Sequence, residues 1–236
     1  MQRFDFIMPT ILQFPNGFHK RDPLIISYCT GRTVMHLGCI GETDGSLNDK
    51  IKKREKLLHF KVSNIAKELY GVDLDQDVIL RYQNELNVPN LFVGNVEQLD
   101  KIEIKTPFKA FDVILFCDLL EHLSNPGAAL NGLKRFINEN SIILISVPHA
   151  FGVLNFIRYT LDIFQEGNQH VAMYNIAGLQ NLLERHGYRI VNYFTCYEKR
   201  LNTVAQKIIF YIPYIFLKMF PKFGGSILIE AKLNTQ

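Results

Sequence analysis

Two segments leave this chain the fewest ways to fold. FDVILFCD (Phe111–Asp118) and SIILISV (Ser141–Val147) are nearly unbroken apolar runs of strand length. A strand that is apolar on successive residues must be covered on both faces, which is the position of a parallel strand inside an α/β sheet. The surrounding chain repeats the theme. TVMHL (33–37), GVDL (71–74) and LFVG (91–94) read as strands. Between them, HFKVSNIAKELY (59–70) carries Phe60, Ile65 and Leu69 at helical spacing, and Asp77–Asn87 reads as a helix stopped before Pro89. Pro126, tolerated at a first helical position, opens a helix running to about Ile137. Strand, helix, strand, repeated, predicts a doubly wound, mostly parallel α/β sheet with helices on both faces. After Pro148 the rhythm changes: 149–173 is aromatic-rich and irregular, Tyr174–His186 is a helix ended by Gly187, and late strands fall at Tyr188–Thr195 and Ser226–Ala231.

At 236 residues without an internal repeat or linker, the chain reads as one domain, 1–236. Hydrophobic residues make up 47% and charged residues 21%, which excludes disorder. Lys plus Arg (26) against Asp plus Glu (23) is too balanced for a nucleic-acid binder. Cys29, Cys39, Cys117 and Cys196 are scattered with no C-x-x-C pair, so a reducing, cytoplasmic setting is expected. The N-terminal apolar residues are broken by Asp5, Pro9, Gln13 and Pro15, unlike a signal peptide. No run reaches the ~18 apolar residues of a spanning helix. Within the apolar segment 200–222, KIIFYIPYIFLKMFPK (207–222) reads as a buried crossover helix kinked by Pro213, or a homodimer contact. Its basic punctuation (Lys207, Lys218, Lys222) gives a second reading, peripheral contact with a membrane interface.

An open parallel sheet takes its ligand at the carboxyl ends of its strands, where strand order reverses. After the first strand come Gly38, Cys39, Ile40 and Gly41, whose glycines let backbone approach a ligand closely. The second strand ends in Asp73, followed by Asp75; a carboxylate there suits the vicinal hydroxyls of a ribose. After the third, Asn95 suits an adenine edge, and after the fourth come Cys117 and Asp118, then Leu-Leu-Glu121-His122.

In order, H-L-G-C-I-G, G-V-D-L-D, G-N-V-E-Q-L, F-D-V-I-L-F-C-D-L-L-E-H-L-S-N-P-G and I-L-I-S-V-P resemble the motifs of class I S-adenosylmethionine-dependent methyltransferases. H-V-A-M-Y-N and L-L-E-R-H-G-Y are similar to that family's cap and sixth-strand region. The resemblance implies a Rossmann-like, seven-stranded sheet with its last strand antiparallel. It implies a cofactor-binding core over 33–147, an acceptor cap over 148–187, and S-adenosylmethionine as cofactor. Gly38, Cys39 and Gly41 would then meet the methionine part, Asp73 the ribose, Leu74, Asn95 and Val96 the adenine, and Cys117 and Asp118 the methyl-donating end. His36 stands where the family usually has an acid, so weaker cofactor binding is expected. From Gly41 to Asp73 the chain is longer than a compact dinucleotide fingerprint, and the polar excess (43–58) reads as a surface insertion over the cofactor mouth.

Methyl transfer from a sulfonium needs alignment and exclusion of water, and a hydroxyl acceptor gains from a base. Histidine, with a free pKa of about 6.5, suits that task. His170, in the cap, is the first candidate, with His122 and His149 beside it. Asp118, Glu121 and His122 are donors in one short stretch, but their neighbours add none, so no metal is expected. The predicted activity is methylation, as O-methylation, of a small-molecule, glycan or lipid-linked acceptor. The alternatives are a non-catalytic module that kept the fold, and a nicotinamide-dependent oxidoreductase, which would want G-x-G-x-x-G where this chain has G-C-I-G-E-T.

Overall fold

The computed structural model describes residues 14–41, 47–52, 54–162, 169–197, 211 and 214–235. The strands are β1 (Phe18–Lys20), β2 (Thr33–Leu37), β3 (Glu68–Asp73), β4 (Leu91–Val93), β5 (Val113–Cys117), β6 (Ile142–Pro148), β7 (Tyr188–Tyr197) and β8 (Ser226–Leu233). They form one sheet in the order β1-β7-β8-β6-β5-β2-β3-β4. Five pairings are parallel, and β8 runs antiparallel to both β6 and β7. The expected seven strands are therefore present with the last antiparallel, and β1 is added at the edge of β7. Strand order reverses between β2 and β5, so their carboxyl ends flank the switch point.

Strand pleat explains why the two apolar runs are apolar throughout. Ile114 and Phe116 of β5 enter one core layer, under the helices Pro126–Leu133 and Ile176–Arg185; Val113 and Leu115 enter the opposite layer, under the helices Arg21–Cys29 and Leu58–Ser63. In chain order the helices lying wholly within the described residues are α1 (Arg21–Cys29), α2 (Leu47–Lys52), α3 (Leu58–Ser63), α4 (Gln76–Leu86), α5 (Pro126–Leu133), α6 (Val153–Thr160) and α7 (Ile176–Arg185). Asp75 caps α4 by accepting from Val78 N (3.2 Å), and Asn125 caps α5 ahead of Pro126, accepting from Ala128 N (3.0 Å).

The helical spacing over 59–70 is half realised. Helix α3 stops at Ser63, and Glu68–Tyr70 join β3, paired with Thr33–Met35. Leu69 and Tyr70 are both buried, on opposite sheet faces, and a two-sided strand satisfies the same apolar spacing as a helix. Gly71 sits mid-strand because an added Cβ would lie 2.6 Å from Leu91, 2.8 Å from Cys39 Sγ and 2.9 Å from the His59 ring. The stretch after Pro148, read as irregular, contains α6. The apolar run 207–222 lies partly outside the described residues. In its described part Leu217 is buried, while Tyr211 and Met219 are exposed. Residues 214–219 are helical, and Tyr214 packs against Phe18 and Tyr197 at the sheet edge, with ring centroids 6.0 and 5.6 Å apart. Among the described residues no helix is long and apolar enough to cross a membrane.

Candidate functional site

A cleft of about 1060 Å³ opens at the switch point. Its floor is the turn after β2, where Gly38 (φ 68°) and Gly41 (φ 65°) take left-handed conformations that favour glycine. Asp73, at the end of β3, holds this turn: its Oδ2 accepts from Ile40 N (2.8 Å) and its Oδ1 from Asp75 N (3.1 Å). Beside it Leu74 is 70% exposed, an apolar side chain presented outward at a strand end. Asn95 accepts from Glu97 N (2.9 Å) through its side-chain oxygen, and Val96 is buried against the core.

Across the switch point, Asp118 adopts φ 49°, a left-handed conformation costing an L-residue about 1–2 kcal/mol. Ser146 Oγ donates to its Oδ1 (2.8 Å), and the Arg21 guanidinium pairs with its Oδ2. Arg21 also binds Asp22, which Lys61 pairs from α3. Burial works against the Asp22 carboxylate, yet Lys61 and Arg21 together bring its pKa below the usual range. An electrostatic strut thus runs from α1 to the end of β5. The sequence reading missed Arg21, since nothing periodic marks a three-residue edge strand whose following helix begins at the cleft. Cys117 and Cys39 line the cleft too; burial pushes the Cys117 thiol up to about 11 and the Cys39 thiol well above its ordinary value. Burial thus favours the protonated thiol at both positions. Of the insertion 43–58, Lys56 and Leu57 reach the cleft lining, followed by Leu58.

His36, at the position where an acid was expected, lies beneath the glycine turn. Its ring stacks on that of His59 from α3, centroids 5.6 Å apart and 24° between planes. Neither Nδ1 finds a hydrogen-bond partner among the described residues. Burial, then His59, then Arg21 hold His36 well below its ordinary pKa, and burial takes His59 down to about 4. Both rings are neutral at pH 7. Below the unfolded value of about 6.5 the unfolded chain takes up protons that the folded pair refuses, so stability is full above about 6.5 and falls as pH drops toward 4. For His59 the loss is about 3 kcal/mol. Urea unfolding of the protein and of His59→Leu between about pH 7 and about pH 4 checks this. The wild type should lose stability more steeply, the carboxylate contributions being common to both; parallel pH dependences would refute it.

A further wall of the cleft is the 3-10 turn Leu120–His122. Val171 N and Ala172 N donate to Glu121 O (2.7 and 3.2 Å), and His122 Nδ1 meets Gln169 O at 3.2 Å. These bonds fasten the cap to the turn and set His170 against His122, ring centroids 4.7 Å apart. One donor atom each of Glu121, His122 and His170 lie within 4.8 Å of one another. His170, distant in sequence from the donors of 118–122, is brought beside them by the fold. His122 and His170 line the cleft, as do His36, Gly38, Cys39, Gly41, Cys117 and Asp118. Asp73, Leu74, Asn95 and Val96 sit beyond its lining, on the β3–β4 side. His149 stands apart: it is buried, its Nδ1 bonds Gly224 O (3.0 Å), and its backbone bridges to Tyr174, so it ties the cap to the start of β8.

Among known proteins, a family model described as a methyltransferase domain matches residues 2–193. A ubiquinone biosynthesis O-methyltransferase of Glaesserella parasuis is 25% identical over 139 residues, 54% of this chain and 53% of that protein, so the chain matches about half the length of this curated relative. A solved structure described as a SAM-dependent methyltransferase from Archaeoglobus fulgidus superposes with a TM-score of 0.53 at 19% identity, covering 89% of this chain and 94% of that one. The magnesium protoporphyrin IX methyltransferase of Synechocystis, solved with bound SAH, gives a TM-score of 0.53 at 13% identity over 90% and 81%.

Proposed function

The chain belongs to the methyltransferase-domain family, and we propose that it transfers the methyl group of S-adenosylmethionine to a hydroxyl oxygen of a small, largely apolar acceptor. The observation that carries this reading is the convergence on one cleft of the Asp73-held glycine turn, the strapped Asp118 and the His122–His170 pair. The donor set fits an adenosyl sulfonium. Each Asp73 oxygen takes one backbone donor, and a carboxylate oxygen has a further lone pair for a ribose hydroxyl. Leu74 offers an apolar platform for adenine. Asn95 spends its oxygen on Glu97 N and keeps its amide donors for the adenine edge, with Val96 behind. Gly38, Cys39 and Gly41 would receive the methionine part, with neutral His36 beneath them.

When bound, S-adenosylmethionine supplies an activated methyl on a sulfonium. The chain's task is then to align the acceptor, exclude water and lower the cost of losing the hydroxyl proton. Asp118 and Cys117 border the methyl-donating end, and Arg21 fixes the direction of the Asp118 carboxylate. The histidine pair, with His170 foremost, handles the hydroxyl; His149 supports the cap. Phe151, Phe156, Tyr159 and Leu161, in and around α6, are exposed, and α6 reaches the cleft lining through Val153 and Arg158, which supports an apolar acceptor. The ubiquinone-pathway relative supports a small molecule with O-methylation. All four cysteines are free, in keeping with a cytoplasmic setting.

Calorimetric titration with S-adenosylhomocysteine, S-adenosylmethionine and NAD tests the reading. One site for each adenosyl compound and none for NAD is expected, followed by methyl incorporation from labelled donor into hydroxyl-bearing phenols and lipids. Absence of adenosyl binding overturns it, and tight NAD binding favours the oxidoreductase.

A further inference from the structure

We propose that Glu121, His122 and His170 form a site for one divalent transition cation of the zinc type on the acceptor side of the cleft. The first ground is composition and spacing: one carboxylate oxygen and two imidazole nitrogens lie within 4.8 Å of one another. Donors around a tetrahedral cation with ~2.1 Å bonds are ~3.4 Å apart. The remaining closure falls to His170, a partly exposed side chain on the cap. Imidazole nitrogens favour zinc, cobalt or nickel over magnesium, calcium or manganese, which prefer oxygen donors.

The second ground is orientation. A carbonyl only accepts, so the contact of His122 Nδ1 with Gln169 O puts the proton on Nδ1, and in the neutral ring the lone pair on Nε2. A carbonyl behind one ring nitrogen is the support that metal-ligating histidines use to fix their tautomer. The third ground is Glu121, which is 1% exposed. Burial holds that carboxylate in place beside the two imidazoles. Its backbone oxygen meanwhile takes Val171 N and Ala172 N, holding the ligand-bearing turn and the cap in register. Asp118 is not counted as a ligand, since Ser146 and Arg21 occupy its carboxylate.

Three protein donors leave a coordination position open, the pattern of a catalytic rather than a structural site. The acceptor hydroxyl fits that position. There the cation withdraws charge from the oxygen, the hydroxyl proton leaves to water, and the oxygen lone pair forms the O–C bond as the C–S bond breaks, the sulfur departing as a neutral thioether. This step rests on the methyl-transfer reading; cation binding does not.

The test uses chelator-stripped protein titrated with Co²⁺, followed by visible ligand-field absorption, and with Zn²⁺ by calorimetry, alongside S-adenosylhomocysteine. One equivalent of cation should bind and give cobalt bands unlike those of the aqueous ion. His122→Ala and His170→Ala should each weaken cation binding by about 100-fold or more, above the ~10–100-fold seen for supporting residues. His170 lies on the cap, so its replacement keeps the test valid where Glu121→Gln fails to fold. An aqueous cobalt spectrum, or wild-type affinity in both histidine variants, overturns the site. S-adenosylhomocysteine binding without cation binding removes this inference alone, and cation binding without it removes the methyl-transfer reading alone.

Discussion

Asp73→Ala should weaken S-adenosylhomocysteine binding by about 100- to 1,000-fold, equivalent to about 3–4 kcal/mol. Two effects add. Hydrogen bonds from ribose hydroxyls to a carboxylate contribute about 1.5–3 kcal/mol each, and alanine removes both. The same substitution releases Ile40 N and Asp75 N, so the glycine turn loses its clamp as well as its ligand contact. Asp73→Asn separates the two. It preserves shape and one acceptor oxygen, but its amide must face either Ile40 N–H or Asp75 N–H, donor against donor. A loss of about 10-fold is expected there, between wild type and alanine. Calorimetry, with thermal unfolding as a control for folding, reads both. An alanine variant whose affinity stays within about threefold of wild type would remove the ribose from Asp73 and with it the cofactor assignment.

What could be read from the chain alone follows from how local each signal is. β2, β5 and β6 announce themselves because both faces are buried and their residues are apolar in succession. The place of Asp73 follows the same logic: as the last residue of the mostly buried β3 it stands at the carboxyl edge of the sheet, where its ribose role is proposed. Signals failed where two distant segments share one task. His36 is visible as a departure from an acid, but its stacking partner His59 lies on a helix whose end was misread through the apolar continuity of 59–70. Arg21 reaches Asp118 across 97 positions, and β1 is too short to carry a periodic pattern. His149 is read as an acceptor-side residue from its place after β6; it is buried, with its Nδ1 bonded to Gly224 O, a contact no local pattern announces. The run 207–222 lies partly outside the described residues; in the rest, Leu217 is buried and Tyr214 packs at the sheet edge, while Tyr211 and Met219 are exposed.

The second large effect is expected at His170, where alanine should lower kcat by about 100- to 10,000-fold, the usual range for removing a group that handles a proton in the transition state. S-adenosylhomocysteine affinity should stay within about threefold, because the cofactor side of the cleft is held by Asp73 and the glycine turn, not by the cap. A loss of cofactor affinity equal to the loss of kcat would instead mean that the cap had come away from the turn Leu120–His122. Two routes lead from His170 to the hydroxyl, and a chelator separates them. If the imidazole takes the proton itself, stripping cations leaves wild-type kcat unchanged. If His170 acts with Glu121 and His122 through a bound cation, stripping reproduces the His170→Ala loss and Zn²⁺ restores it in wild type alone. The 4.8 Å convergence of the three donors and the carbonyl behind His122 make the second outcome the expected one. Wild-type turnover in His170→Ala would exclude both routes and leave the acceptor hydroxyl to another group in the cleft.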